Sequence, residues 1–381
     1  MLSRILTVLI AIVVTFSTAK LQAQQIPPGI DSVMKKFDAI GLAVAVVKDG
    51  RIIYNNSFGW KNREQQIPLQ NTDIFRIASI SKSFSATAIM QLVESGKLSL
   101  DDDFSKLIGF QVRNPKFPET VITLRMVLSH TSSLNDSQGY FSLDVIDPAK
   151  NPGSAKCYNN YEPGKGYQYC NLNYNMAGTV IEKISGERFD QYVKKHILDP
   201  LNLYGGYCVD SLDKSRFVTL YEYDGATKLF KPAPAAYNQR SEVIRNYVMG
   251  SSTPIFSPTG GMKISAADLA QYMIMHMNAG KSGKVRIISK KSARTMQTPL
   301  SDGEGGYGLA LWRARDLVAG KELTGHTGSA YGLYSSMFFH PKEKFGFVTI
   351  TNGCNPAYKD DLPQFTRELI SVLYKDFILR K

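Results

Sequence analysis

A serine three residues before a lysine is a spacing with chemistry in it. The stretch Phe75-Arg76-Ile77-Ala78-Ser79-Ile80-Ser81-Lys82 contains one. On a helix that spacing sets both side chains on one face. A serine hydroxyl is a weak nucleophile until a neighbouring base takes its proton. A lysine serves as that base once burial or nearby charge makes its neutral form accessible. Ser79 at a helix N-terminus would also meet backbone N–H groups that favour developing negative charge. The same spacing recurs at Ser17/Lys20, Ser32/Lys35 and Ser211/Lys214, but only Ser79 stands between a strand region and a long apolar helix. Competing chemistries lack their residues. There is no G-x-S-x-G elbow and no phosphate-binding G-x-x-x-x-G-K-[ST]. The single G-x-G-x-x-G, Gly303 to Gly308, runs into a β segment rather than opening a helix. The five histidines form no H-E-x-x-H pair and the four cysteines lack zinc spacing, so neither a metal nor another cofactor is expected.

The surrounding pattern indicates what must position these groups. Two β-forming runs, Leu42 to Val47 and Arg51 to Phe58, flank an Asp49-Gly50 turn and predict a hairpin. A short helix around Ile30 to Phe37 precedes them. Helices are predicted from Ser81 to Glu94 and from Asn173 to Ile184, each running into Ser-Gly, and from the capping box Ser265-Ala266-Ala267-Asp268 to about Asn278. The β signal returns at Leu309 to Arg313, Tyr331 to His340 and Phe345 to Thr351, before a final helical segment, Leu362 to Leu379. Strands at both ends with helices between predict an α+β fold: one antiparallel sheet built from both termini, with flanking helices and an inserted, mainly helical lobe. Two irregular stretches, Asn135 to Gly166 and Asp210 to Pro258, interrupt that lobe, and the second carries Tyr221, Tyr223, Phe230, Tyr237 and Tyr247. Loops this long are usually functional rims or locally irregular segments.

Composition narrows the class further. With 381 residues, 43% apolar and 20% charged, the chain is ordinary globular material, long enough for one large domain or two coupled lobes. The net charge of +12 comes without basic runs or zinc-finger spacing, so nucleic acid is not an expected partner. Met1 to Arg4 supply a positive start and Ile5 to Phe16 an apolar core of secretory length. Cleavage after Ala19 or Ala23 then predicts a signal peptide over 1–23, a periplasmic or secreted product, and no stable membrane anchor. Export permits disulfides among Cys157, Cys170, Cys208 and Cys354, but a chain this long does not need them.

Several motifs together resemble one family. Asp73 to Lys82, Leu92 to Asp102, Leu128-Ser129-His130-Thr131-Ser132-Ser133-Leu134 and Pro258-Thr259-Gly260-Gly261-Met262 follow in the order found in the serine β-lactamase-related family. That family comprises class C β-lactamases, D-alanyl-D-alanine carboxypeptidases and family VIII carboxylesterases. The resemblance implies a β-lactamase/penicillin-binding-protein-like fold over 24–381, with an α/β lobe of 24–76 and 295–381 and a helical lobe of 77–294. It implies Ser79 as nucleophile and Lys82 and Tyr169 as the proton relay. Tyr169-Cys170-Asn171 is chosen among three Tyr-x-Asn occurrences because it follows Pro163-Gly164 and leads into a helix, as the family pattern requires. Asn171, His326, Thr327 and Gly328 would bind substrate, and the backbone N–H groups of Ser79 and Ser329 would form an oxyanion hole. His326 stands where the family usually carries lysine, so near pH 7 a neutral histidine would offer a substrate carboxylate only a hydrogen bond, and such substrates would bind better below its pKa. His130 is implied to be structural. The expected partner is a small-molecule or peptidic acyl substrate — ester, D-amino-acid amide or β-lactam — with oligomeric state open. The alternatives are an acyltransferase using an alcohol acceptor, or a non-catalytic β-lactam or peptidoglycan receptor of the same fold.

Overall fold

The computed structural model of the chain describes residues 26–301, 306–359 and 362–380. The expected signal peptide lies outside the described residues, as do Gly303 and Gly305 of the glycine run. Along the chain the strands that frame the site are β1 (Gly41–Lys48), β2 (Arg51–Asn62), β3 (Ile67–Pro68), β4 (Phe75–Arg76), β5 (Gly205–Gly206), β6 (Lys263–Ile264), β7 (Trp312–Val318), β8 (Lys321–Ala330), β9 (Leu333–His340) and β10 (Phe345–Thr351). The principal helices are α1 (Pro28–Lys36), α2 (Ser81–Glu94), α3 (Asn171–Ser185), α4 (Ala266–Met277) and α5 (Gln364–Leu373).

Seven strands form one antiparallel sheet in the order β7-β8-β9-β10-β1-β2-β3. Its two sequence halves meet where β1 pairs with β10, from Leu42 opposite Thr351 to Lys48 opposite Phe345. Asp49 and Gly50 both take positive φ (53° and 72°), the type I′ geometry that suits a right-twisted hairpin. Period-two alternation then sorts β1 between two cores. Leu42, Val44 and Val46 pack with Ile30, Val33, Phe365 and Leu369 from the terminal helices. Ala43, Ala45 and Val47 join Leu269 and Met273 of α4 on the other face. A strand covered on both faces must be apolar throughout, and each buried Val or Leu contributes about 1.5–3 kcal/mol. The fold is α+β, with the sheet drawn from both ends of the chain.

Several local signals hold. Ser265 accepts the Asp268 N–H at 3.1 Å and opens α4, and α2 runs from Ser81 to Glu94 as its pattern predicts. Two expectations change. The strand expected at Leu309 to Arg313 begins only at Trp312, because Gly308 N–H bonds Leu311 O (2.7 Å), Leu309 N–H bonds Met296 O (3.0 Å) and Ala310 takes φ 61°. The stretch Asp210 to Pro258 is not an open loop: Tyr221–Asp224 pairs with Leu229–Pro232, Tyr221 is buried, and Phe217 stacks on Tyr237 at 4.7 Å. All four cysteines are buried free thiols.

Candidate active site

The turn that carries Ser79 is clamped from three directions. β4 pairs with β6, and Ile77 N–H continues the ladder to Met262 O at 2.9 Å. Ser81 Oγ donates to Ala78 O (2.6 Å) and accepts from Met262 N–H (3.0 Å). Ser335 Oγ of β9 donates to Ile77 O at 2.9 Å. Held this way, Ala78 takes a positive φ of 48°, and Ala78–Ile80 form one 3₁₀ turn leading into α2. Lys82 follows three residues later in the first turn of α2, so the two side chains fall on one helical face.

Lys82 is fully buried, and its Nζ lies 3.1 Å from Ser79 Oγ. It also lies 2.9 Å from Asn171 Oδ1 and 3.1 Å from Thr259 O. Those last two atoms only accept hydrogen bonds, whereas a hydroxyl both donates and accepts. An ammonium can donate to all three; after it gives up one proton, the amine keeps Asn171 and Thr259 as acceptors and its lone pair faces Ser79 Oγ. The Tyr169 ring sits 4.7 Å from Lys82 Nζ. Asn171 is the first residue of α3, and Thr259 Oγ1 donates to its Oδ1 at 2.9 Å. On its other side Asn171 Nδ2 donates to Asp136 Oδ2, also at 2.9 Å.

The opposite wall is β8. β7 pairs with β8 only as far as Gly325, so His326 to Ala330 have β9 on one side and the Ser79 turn on the other. Gly328 makes that approach possible. A Cβ there would meet Ile77 O at 2.2 Å and Ser335 Oγ at 2.5 Å, and would lie 3.1 Å from Ser79 N. Main chain therefore lies against main chain beside Ser79, the setting in which Ser79 and Ser329 N–H groups could face one oxyanion.

A family model described as Beta-lactamase matches residues 30–369. The chain belongs to the beta-lactamase family. This family member is 22% identical to Protein flp of Staphylococcus aureus (strain MRSA252) over 338 residues, 86% of this chain and 62% of that protein. The chain thus spans less than two thirds of the length of such curated relatives. Among solved structures it resembles the octameric penicillin-binding protein homologue from Pyrococcus abyssi, with TM-score 0.70 and 28% identity over 91% of this chain and 75% of that one. The D-amino acid amidase of Ochrobactrum anthropi SV3 shares the fold, with TM-score 0.68 and 20% identity over 91% and 97%.

Within the candidate site of this beta-lactamase-family member, His326 is turned into the protein. It is 3% exposed, and both ring nitrogens are already bonded within the protein. Nδ1 lies 2.5 Å from Thr327 O, and a carbonyl only accepts, so Nδ1 carries the proton. Nε2, 3.0 Å from Tyr307 Oη, then accepts from that hydroxyl. Burial, reinforced by the Lys82 charge, pushes the His326 pKa down to about 3. The residue is neutral across the physiological range and has no unbonded ring nitrogen for a substrate carboxylate. His130 is likewise fully buried and held below its usual range by burial, with its Nδ1 accepting Cys170 N–H at 3.1 Å and its ring 4.4 Å from that of Tyr169. It buttresses the Tyr169 segment. Three contacts had no counterpart in the sequence reading: Thr259, Tyr307 and Asp136. Thr259 lay within a recognised motif, but its useful atom is a backbone carbonyl. Tyr307 and Asp136 carried no local signal at all.

Proposed function

We propose that this protein is a serine hydrolase that forms an acyl-enzyme on Ser79. The observation that carries the reading is the Ser79 Oγ–Lys82 Nζ contact of 3.1 Å, with Asn171 Oδ1 and Thr259 O taking the other amine protons. Lys82 accepts the Ser79 proton as Oγ attacks the acyl carbonyl. The Ser79 and Ser329 N–H groups receive the oxyanion, and Tyr169, across from Lys82, passes the proton to the leaving group. Water then releases the acyl group. The site needs no cofactor for these steps. Neutral acyl carbonyls, esters and D-amino-acid amides, are favoured over carboxylate-bearing β-lactams, because the third motif supplies a neutral, already bonded histidine. A charge-assisted hydrogen bond to a carboxylate is about twice as strong as a neutral one. Export belongs to the same reading and rests on residues 1–23 alone.

The test is labelling with a fluorophosphonate probe, followed by turnover of an aryl ester, a D-amino-acid amide and a cephalosporin, with and without an alcohol acceptor. Labelling of the native chain and none of Ser79→Ala, with the ester or amide turned over fastest, is expected. Equal labelling of Ser79→Ala defeats the assignment. An acyl-alcohol product in place of free acid would turn it into a transferase.

A further inference from the structure

Asn171 is useful to Lys82 only in one of its two amide orientations. With Oδ1 toward the amine, it accepts from Lys82 Nζ and from Thr259 Oγ1, both at 2.9 Å. Flipped, it would point N–H groups at the Lys82 amine protons and at a Thr259 hydroxyl that would have to turn its own hydrogen away. The residue that distinguishes these orientations comes from a different part of the chain. Asp136 Oδ2 receives Asn171 Nδ2 at 2.9 Å and Asn171 N–H at 2.8 Å. Its Oδ1 receives Leu172 N–H at 3.0 Å and the Cys170 thiol at 3.2 Å. Four donors converge on one carboxylate at the start of α3. Cys170, the residue at the N-cap position, makes no side-chain cap of its own.

We infer that Asp136 is a positioning residue for the acylation step. An ionised carboxylate only accepts. It therefore binds Asn171 Nδ2 and repels Asn171 Oδ1, so the oxygen is turned toward Lys82. By taking the Asn171 and Leu172 N–H groups it also anchors the first turn of α3, an arrangement that the helix dipole favours. The carboxylate thus determines where the Lys82 amine protons point, and so leaves the amine lone pair for Ser79. This inference rests on the serine-hydrolase reading above. Asp136 acts through Asn171, which it holds by both the side-chain amide and the backbone N–H.

The experiment compares the native chain with Asp136→Asn and Asp136→Ala. It measures the rate of fluorophosphonate labelling, kcat and KM for an aryl ester, and Tm. An asparagine has one acceptor oxygen where aspartate has two, so it no longer enforces the Asn171 orientation while retaining the shape. Misplacement of a catalytic group costs about 10²-fold in rate, and a loss of that order is expected for Asp136→Asn, in labelling rate and kcat, with KM little changed. Asp136→Ala should lose as much activity and, in addition, lower Tm through the missing cap. A native chain labelled at Ser79 together with an equally labelled Asp136→Asn overturns the inference alone. So does an activity loss that only follows the fall in Tm and disappears on cooling, because that would make Asp136 a helix cap and nothing more. A native chain that the probe leaves unlabelled defeats the hydrolase reading and this inference with it.

Discussion

The two walls of the site are built in opposite ways. On the helical wall, Ser79, Lys82 and Asn171 contribute side chains, and each polar atom there points at another polar atom of the site. On the β8 wall the most conspicuous side chain, His326, is turned into the protein and bonded at both nitrogens, and main chain is what lies against Ser79. One wall therefore tolerates no change of functional group. The other tolerates little change of backbone shape, even at a residue without a side chain.

Breaking the helical wall should produce the largest effect. Lys82→Ala removes the amine, and with it the hydrogen bonds to Asn171 Oδ1 and Thr259 O. Acylation should fall by roughly 10²–10⁴, the range typical of lost acid–base function. Tyr169→Phe should fall within the same range. Because the groups act as a unit, the double variant should be little worse than the worse single one. Pre-steady-state acylation rates decide this, and losses that simply multiply would separate the two residues.

Breaking the other wall needs only a methyl group. In Gly328→Ala the new Cβ would fall 2.2 Å from Ile77 O, so β8 and the nucleophile turn must separate. Loss of one oxyanion donor costs about 10²–10³ in kcat, and a decrease of that size with a lowered Tm is expected. Native kcat in Gly328→Ala would show that the main-chain approach is not used.

A pH experiment sharpens the contrast between side chain and main chain. His326 and His276 both have pKa values pushed down to about 3 from an ordinary 6.5 by burial. A folded-state value below the unfolded one means that the unfolded chain binds more protons between those limits. Stability is then fully present above about pH 6.5 and declines as the pH falls toward 3, by about 2 kcal/mol per such histidine at pH 5. Urea unfolding at pH 7 and pH 5 measures this, and His326→Gln should reduce the decline. Over the same native range, from about pH 5.5 to 8.5, the ratio of kcat/KM for a cephalosporin to that for an ester should show no His326 titration. A step near pH 6.5 in that ratio, abolished by His326→Gln, would restore a charge-reading role.

The smallest effects belong to the serines that share only the spacing. Ser32 and Ser211 are exposed, and Ser32→Ala or Ser211→Ala should change Tm and activity negligibly, within about 0.5 kcal/mol. Loss of probe labelling in either would break the contrast altogether.

The sequence by itself determined a good deal of this protein. The continuous apolar run of β1, the Asp49-Gly50 turn and the Ser265 capping box act within a few residues, so the hairpin and α4 were legible. The Ser79/Lys82 alignment was legible for the same reason, because one helical turn suffices to bring i and i+3 together. Asn171 was reached through the family resemblance, with the helix expected from Asn173; the helix begins two residues earlier, at Asn171 itself. The segment that became β7 was misplaced because its beginning depends on bonds to Met296 and Leu311 that no local pattern encodes. What the tertiary structure alone decided is the partner of each polar atom. His326 is neutral because Tyr307 and the Thr327 carbonyl occupy its ring and burial removes its water, although its place in the motif suggested a group facing substrate. Asp136 reaches Asn171 across 35 residues of chain, from a stretch with no periodicity to read. Hydrogen bonds are satisfied in space, and a spacing rule reports only those whose two ends lie within a turn or two of each other.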